Sequence, residues 1–148
     1  MTSDIETADR LSRRRARALP LLAVIFLTQQ ASYFVGVAED GAPSVDHLKV
    51  GAWLILTTMI LLAVSTGGFW FRSRAVRALL DDEVTRANRT EGMRVGFIAA
   101  IASGILLYLL TYFDRMGGRE AIHLLITIAL AAALLRFGLL ERRAHRND

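Results

Sequence analysis

Four stretches of this chain carry almost no charge, and each is long enough to cross a bilayer as a helix. Residues 18–38 (21 positions), 50–71 (22) and 95–113 (19) contain no Asp, Glu, Lys or Arg, and residues 121–140 contain only Arg136. A hydrocarbon core of roughly 30 Å takes about 20 helical residues at about 1.5 Å each. Lipid offers the backbone no hydrogen-bond partner, and continuous apolar runs lack the alternation of a membrane β-barrel, so each run is predicted to be a helix. The predicted fold is all-α: a polytopic membrane protein, a four-transmembrane-helix bundle forming a single membrane domain over residues 1–148. Mean hydropathy is +0.38 although 22% of residues are charged, so the charges are segregated. They concentrate in an N-terminal segment (1–17), a loop between the second and third runs (72–94) and a tail (141–148).

Arg13, Arg14, Arg15 and Arg17 ahead of an apolar run resemble the start of a signal peptide, and Gly36, Val37 and Ala38 a cleavage site. The run is too long for a signal core and three more follow, so it is expected to stay as a span. The Arg13-Arg14 pair lacks the apolar residues that follow a twin-arginine signal.

Basic residues near span ends are retained in the cytoplasm. Fifteen fall on one side: Arg10, Arg13, Arg14, Arg15 and Arg17; Arg72, Arg74, Arg77, Arg86, Arg89 and Arg94; Arg136, Arg142, Arg143 and Arg146. Only Lys49, Arg115 and Arg119 fall on the other, where Glu39, Asp40 and Asp46 make the first loop acidic. The expected topology therefore has both termini in the cytoplasm of a bacterial inner membrane. Anionic lipid headgroups beside the arginines account for the net charge of +4 without nucleic acid.

With no cysteine, the chain has no disulfide, thiol relay or thiolate metal site. His47 and His123 lie toward the same outer side, but no further ligand accompanies them, so neither metal nor cofactor is expected. No nucleophile elbow, zinc-helix or phosphate-loop motif occurs, and the expectation is a non-enzymatic protein. The four runs hold no acid, which argues against a proton-coupled exporter.

Gly96, Ala100 and Gly104 recur every fourth residue, so one face of the third run is nearly free of side chains and suits close helix packing. Ala129, Ala132 and Ala133 offer a reciprocal surface within the chain; a homo-oligomer seam is the alternative. Trp53 and Trp70, about 25 Å apart along a helix, suit aromatic belts at the two interfaces. Arg136 is expected to snorkel to the headgroups. Gln29 and Gln30 lie near mid-depth, while Tyr33, Tyr108 and His123 lie in the outer half. Such groups are expected to bond one another across helices, with His123 donating to a carbonyl or to Asp46, or to line a small pocket open to the outside.

Between the second and third runs, Val76, Leu79 and Leu80 share a helical face, and Asp81 or Asp82 is a suitable N-cap for a helix leading into the third span. The stretch LLDDEVTRANRTEGMRVGF resembles the junction of small bacterial four-span inner-membrane proteins, in which a D-E-x-T-R type sequence precedes the third span. Some of these are encoded beside small helix-turn-helix regulators. The resemblance implies Asp82, Glu83, Thr85, Arg86 and Arg89 as a contact face and no chemistry. The expected function is an accessory, scaffolding or regulatory subunit docking a cytoplasmic or membrane protein through residues 72–94. The alternative is a small-molecule or lipid binding or transport protein using the outer polar cluster.

Overall fold

The computed structural model describes residues 2–39, 47–67, 83–113 and 116–144, and all regular structure among them is helical. Helix α1 is Thr2–Glu39, α2 is His47–Thr66, α3 is Glu83–Leu110 and α4 is Gly118–Ala144. Two of these, α3 and α4, are long and apolar enough to cross a membrane, and Val50–Thr66 is a shorter apolar helix. Only 17% of the apolar stretch of α3 is buried, whereas the core helix of a soluble protein is mostly covered. Phe97, Ile101, Ile105 and Leu109 are exposed along one face of it.

The helix ends differ from the apolar runs for local reasons. Helix α1 begins at Thr2, so the basic segment is helical and continuous with the first run, a rod of about 57 Å. Helix α2 stops at Thr66 rather than continuing to Phe71. Gly67 takes φ +80°, a left-handed conformation open to glycine, and its N–H bonds Ala63 O at 2.9 Å. The expected surface helix around Leu79, the capping residues Asp81 and Asp82, and Trp70 lie outside the described residues. Helix α4 extends past the fourth run to Ala144 and carries Glu141, Arg142 and Arg143 with it.

Helix α4 is the hub, in contact with each of the other three. Against α1 it packs antiparallel. Ala16, Leu19, Ala23, Phe26 and Gln30, spaced alternately three and four, are all buried on α1; His123, Thr127, Leu130, Leu134, Phe137 and Glu141 form the same pattern on α4. That alternation produces a seam of interlocking side chains between helices crossing at a shallow angle. Ile60 and Val64 of α2 complete the core around Phe26, Leu134 and Phe137.

Against α3 the approach is closer. A Cβ on Gly96 would stand 2.8 Å from Ala133 Cβ and 2.9 Å from Ala129 O, and one on Gly92 would stand 2.9 Å from Phe137 Cβ. The small-residue face of the third run is thus covered by α4 of the same chain at this level, against two of the alanines expected there. Ala100 accepts Ser103 Oγ–H at 3.1 Å, and a Cβ on Gly104 would meet Leu125 Cδ1 at 3.4 Å.

Pro20 sits inside α1 and packs on Gly138 of α4, where a Cβ would stand 2.7 Å from the proline ring. Proline has no N–H, so the carbonyl of Ala16, four residues back, loses its helical donor. Arg142 Nε donates to that oxygen at 3.1 Å. A cation from the neighbouring helix thus replaces the hydrogen bond the proline removes.

Candidate functional site

Polar side chains are buried in this bundle at two levels along α4. One is near the α3–α4 turn, the other near the chain termini.

At the turn end, His123 stands in the second turn of α4. Its Nε2–H donates to Gln30 Oε1 of α1, and Trp53 of α2 stacks on its ring with centroids 4.4 Å apart and planes 25° apart. With the Gln30 amide in this orientation its carbonyl accepts and the imidazole donates from Nε2. Three helices therefore meet at one imidazole. Thr127 lies one turn along α4 from His123, and Thr57 one turn along α2 from Trp53, so each threonine continues the same face of its helix. Gln30 is 5% exposed, His123 7% and Thr127 3%.

The hydrogen bonds of this layer are incomplete. Gln30 Nε2, Trp53 Nε1, Thr57 Oγ1 and Thr127 Oγ1 are buried and have no partner among the described residues. Leaving such a group unpaired costs about 1–3 kcal/mol. The amide and the indole offer N–H donors, and the hydroxyls can donate or accept. With Gln30 Oε1 already engaged, the open valences are mainly donors.

At the termini end, Arg15 of α1 reaches Glu141 of α4. Arg15 Nε donates to Glu141 Oε2 at 3.0 Å, and Nη2 donates both to the same oxygen and to Thr85 Oγ1 of α3, the latter at 2.8 Å. Asn88 Nδ2 donates to Glu141 Oε1 at 3.1 Å. The Arg15 guanidinium also lies 5.7 Å from the centre of the Phe137 ring, within cation–π range. Side-chain exposure is 6% for Arg15 and 3% for Glu141. This buried ion pair ties α1, α3 and α4 together.

Between the two levels, from Thr127 to Glu141, runs about 21 Å of helix. Its inward positions, Leu130, Leu134 and Phe137, are apolar and buried.

The expected site residues divide accordingly. Gln30 and His123 come together through the imidazole, and Asp46 lies outside the described residues. Gln29, about 100° further round α1, is half-buried. Tyr108 does not join them: it is 63% exposed, its hydroxyl is 3.1 Å from that of Tyr112, and the two rings meet edge to face. The side chain of Tyr33 lies outside the described residues. Trp53 is half-buried and stacks on His123. Arg136 pairs with Glu91 across the α3–α4 hairpin at 3.3 Å rather than only reaching for headgroups. In the proposed contact face, Glu83 and Arg86 are exposed and Arg89 is half-buried, but Thr85 is 5% exposed and bonded to Arg15, which removes it from that surface. Asp82 lies outside the described residues.

Sequence reasoning missed Arg15, Asn88 and Glu141 as one unit. Arg15 is one of four arginines within five positions, so composition could not single it out. The heptad-like spacing from His123 to Glu141 was the available signal, since it carries the buried stripe beyond the apolar run. The chain matches no family model, no curated protein and no solved structure.

Proposed function

We propose that this is a non-enzymatic integral membrane protein that binds a small polar solute among Gln30, Trp53, Thr57, His123 and Thr127. It crosses a bacterial inner membrane four times with both termini in the cytoplasm, so this layer lies in the outer half. The basic-residue bias and the outward-facing apolar surface of α3 support the placement. The observation that carries the binding reading is the set of four buried polar atoms, on three helices around one imidazole, without partners among the described residues. A solute that accepts hydrogen bonds suits the open donors, and the stacked rings of Trp53 and His123 give it a flat wall.

Binding is favoured over conduction because the stripe from Leu130 to Phe137 closes the seam below with apolar side chains. It is favoured over docking through residues 72–94 because Thr85, one of five residues in that face, is committed to the interior.

Native mass spectrometry of the full chain, purified in mild detergent from its own membranes, tests this. The wild type is expected to retain a small-molecule adduct that Gln30→Leu and Thr127→Val both lose. A wild type that carries no adduct, or an adduct of unchanged occupancy in both variants, refutes the assignment.

A further inference from the structure

We infer that the cleft between α1 and the end of α2 holds one anionic phospholipid, its acyl chain in the cleft and its phosphate on Arg14. Both helices pack on α4, and between them remains a groove of about 260 Å³ lined by Leu11, Ala18, Leu19 and Leu22 of α1 and Ala63 of α2, with Arg14 along its edge. The floor is apolar. Its edge is not.

Arg14 is exposed and pairs with none of the described residues, whereas Arg15, which also lines the groove, is held by Glu141. Arg10 and Arg17, four residues before and three after, share the helix stripe of Arg14 and are exposed as well. At the same end of the groove, Arg89 of α3 and Arg15 of α1 reach Gly67, their Nη1 atoms 3.4 and 3.9 Å from where a Cβ would stand. An apolar slot between membrane helices, rimmed by guanidinium groups at the cytoplasmic end, matches an acyl chain below and a phosphate above. A zwitterionic lipid fills the same slot but leaves the arginine rail without a net counter-charge. A soluble anion matches the rail but not the slot.

This rests on the membrane placement proposed above, and carbonate extraction tests that separately: a chain that stays in the membrane pellet keeps the placement whatever the lipid result. Detergent-purified wild type is titrated with phosphatidylglycerol or phosphatidylcholine, and retained lipid is counted by native mass spectrometry. The wild type is expected to prefer phosphatidylglycerol by about fivefold or more, the weight of a single near-surface arginine. Arg14→Gln should abolish most of that preference, Ala63→Phe should reduce retention of both lipids by filling the slot, and Arg143→Gln at the tail should change neither. Equal retention of the two lipids by the wild type, or an unaltered preference in Arg14→Gln, overturns the inference.

Discussion

Neutralising Glu141 should destabilise the bundle more than any surface charge change. Glu141→Gln keeps the side-chain shape but places an amide against Arg15, Thr85 and Asn88. Arg15 then remains inside with its charge uncompensated. At side-chain exposures of 6% and 3%, neither partner has enough water contact to soften the loss, so the value for a broken buried pair applies, about 3–5 kcal/mol. Arg15→Met should cost a similar amount for the converse reason. The double variant Arg15→Met/Glu141→Leu removes both charges. Apolar replacement of a buried pair is neutral or stabilising by about 1–4 kcal/mol, while Thr85 and Asn88 each lose a hydrogen bond of about 1 kcal/mol. The double should therefore lie within about 2 kcal/mol of the wild type, far from the sum of the single losses. Reversible unfolding in mixed detergent micelles, followed by far-ultraviolet circular dichroism, supplies all four corners of the cycle. Single losses below about 1 kcal/mol that simply add would show that the pair is solvated and would sink the argument.

Two further predictions use the same unfolding assay. Gly96→Ala should gain about 1 kcal/mol of helix propensity yet come out destabilising, because its methyl falls on the Ala129 backbone and Ala133 and overpacking costs about 1–3 kcal/mol; Gly104→Ala, facing only the flexible end of Leu125, should be neutral or stabilising. Arg142→Gln should cost about 1 kcal/mol by leaving the Ala16 carbonyl without its donor, and the cost should largely vanish in a Pro20→Ala background, where the helix supplies its own N–H.

The helical class could be read from the chain because charge-free runs of about 20 residues admit little else, and the face of Gly96 could be read because small residues at a spacing of four have one geometric use. What could not be read was which charged residues turn inward. Arg15 and Arg14 are adjacent and chemically identical; only the path of α1 over α4, set by Pro20 seated on Gly138, puts one against Glu141 and leaves the other outside. The resemblance of the junction implies a contact surface that includes Thr85, yet Thr85 continues the stripe of Gly92 and Gly96 and so faces the bundle. Gln30 and His123 were legible as polar groups in an apolar setting. Trp53 was not, since a tryptophan near a span end usually marks the lipid interface. The early stop of α2 depended on a single left-handed glycine at position 67, one of two adjacent glycines in a run that hydropathy alone carries through to Phe71.

Stability measurements on the polar layer decide whether its unpaired groups are there for packing or for a solute. Thr127→Val replaces a buried hydroxyl that has no partner among the described residues with a methyl of nearly the same shape. If that hydroxyl is an uncompensated polar group, its removal should stabilise the empty protein by about 1 kcal/mol, and Thr57→Val should do likewise. Gln30→Leu differs in sign, because it also takes away the acceptor of His123 and should cost about 1 kcal/mol net. A hydrogen-bond network that existed only to hold helices together would lose stability in all three. Substitutions at the threonines that raise stability while abolishing retention of the solute are the expected mark of a site whose polar groups are kept for function at the expense of packing. The three variants read together therefore separate a binding layer from interhelical adhesion before the solute is identified.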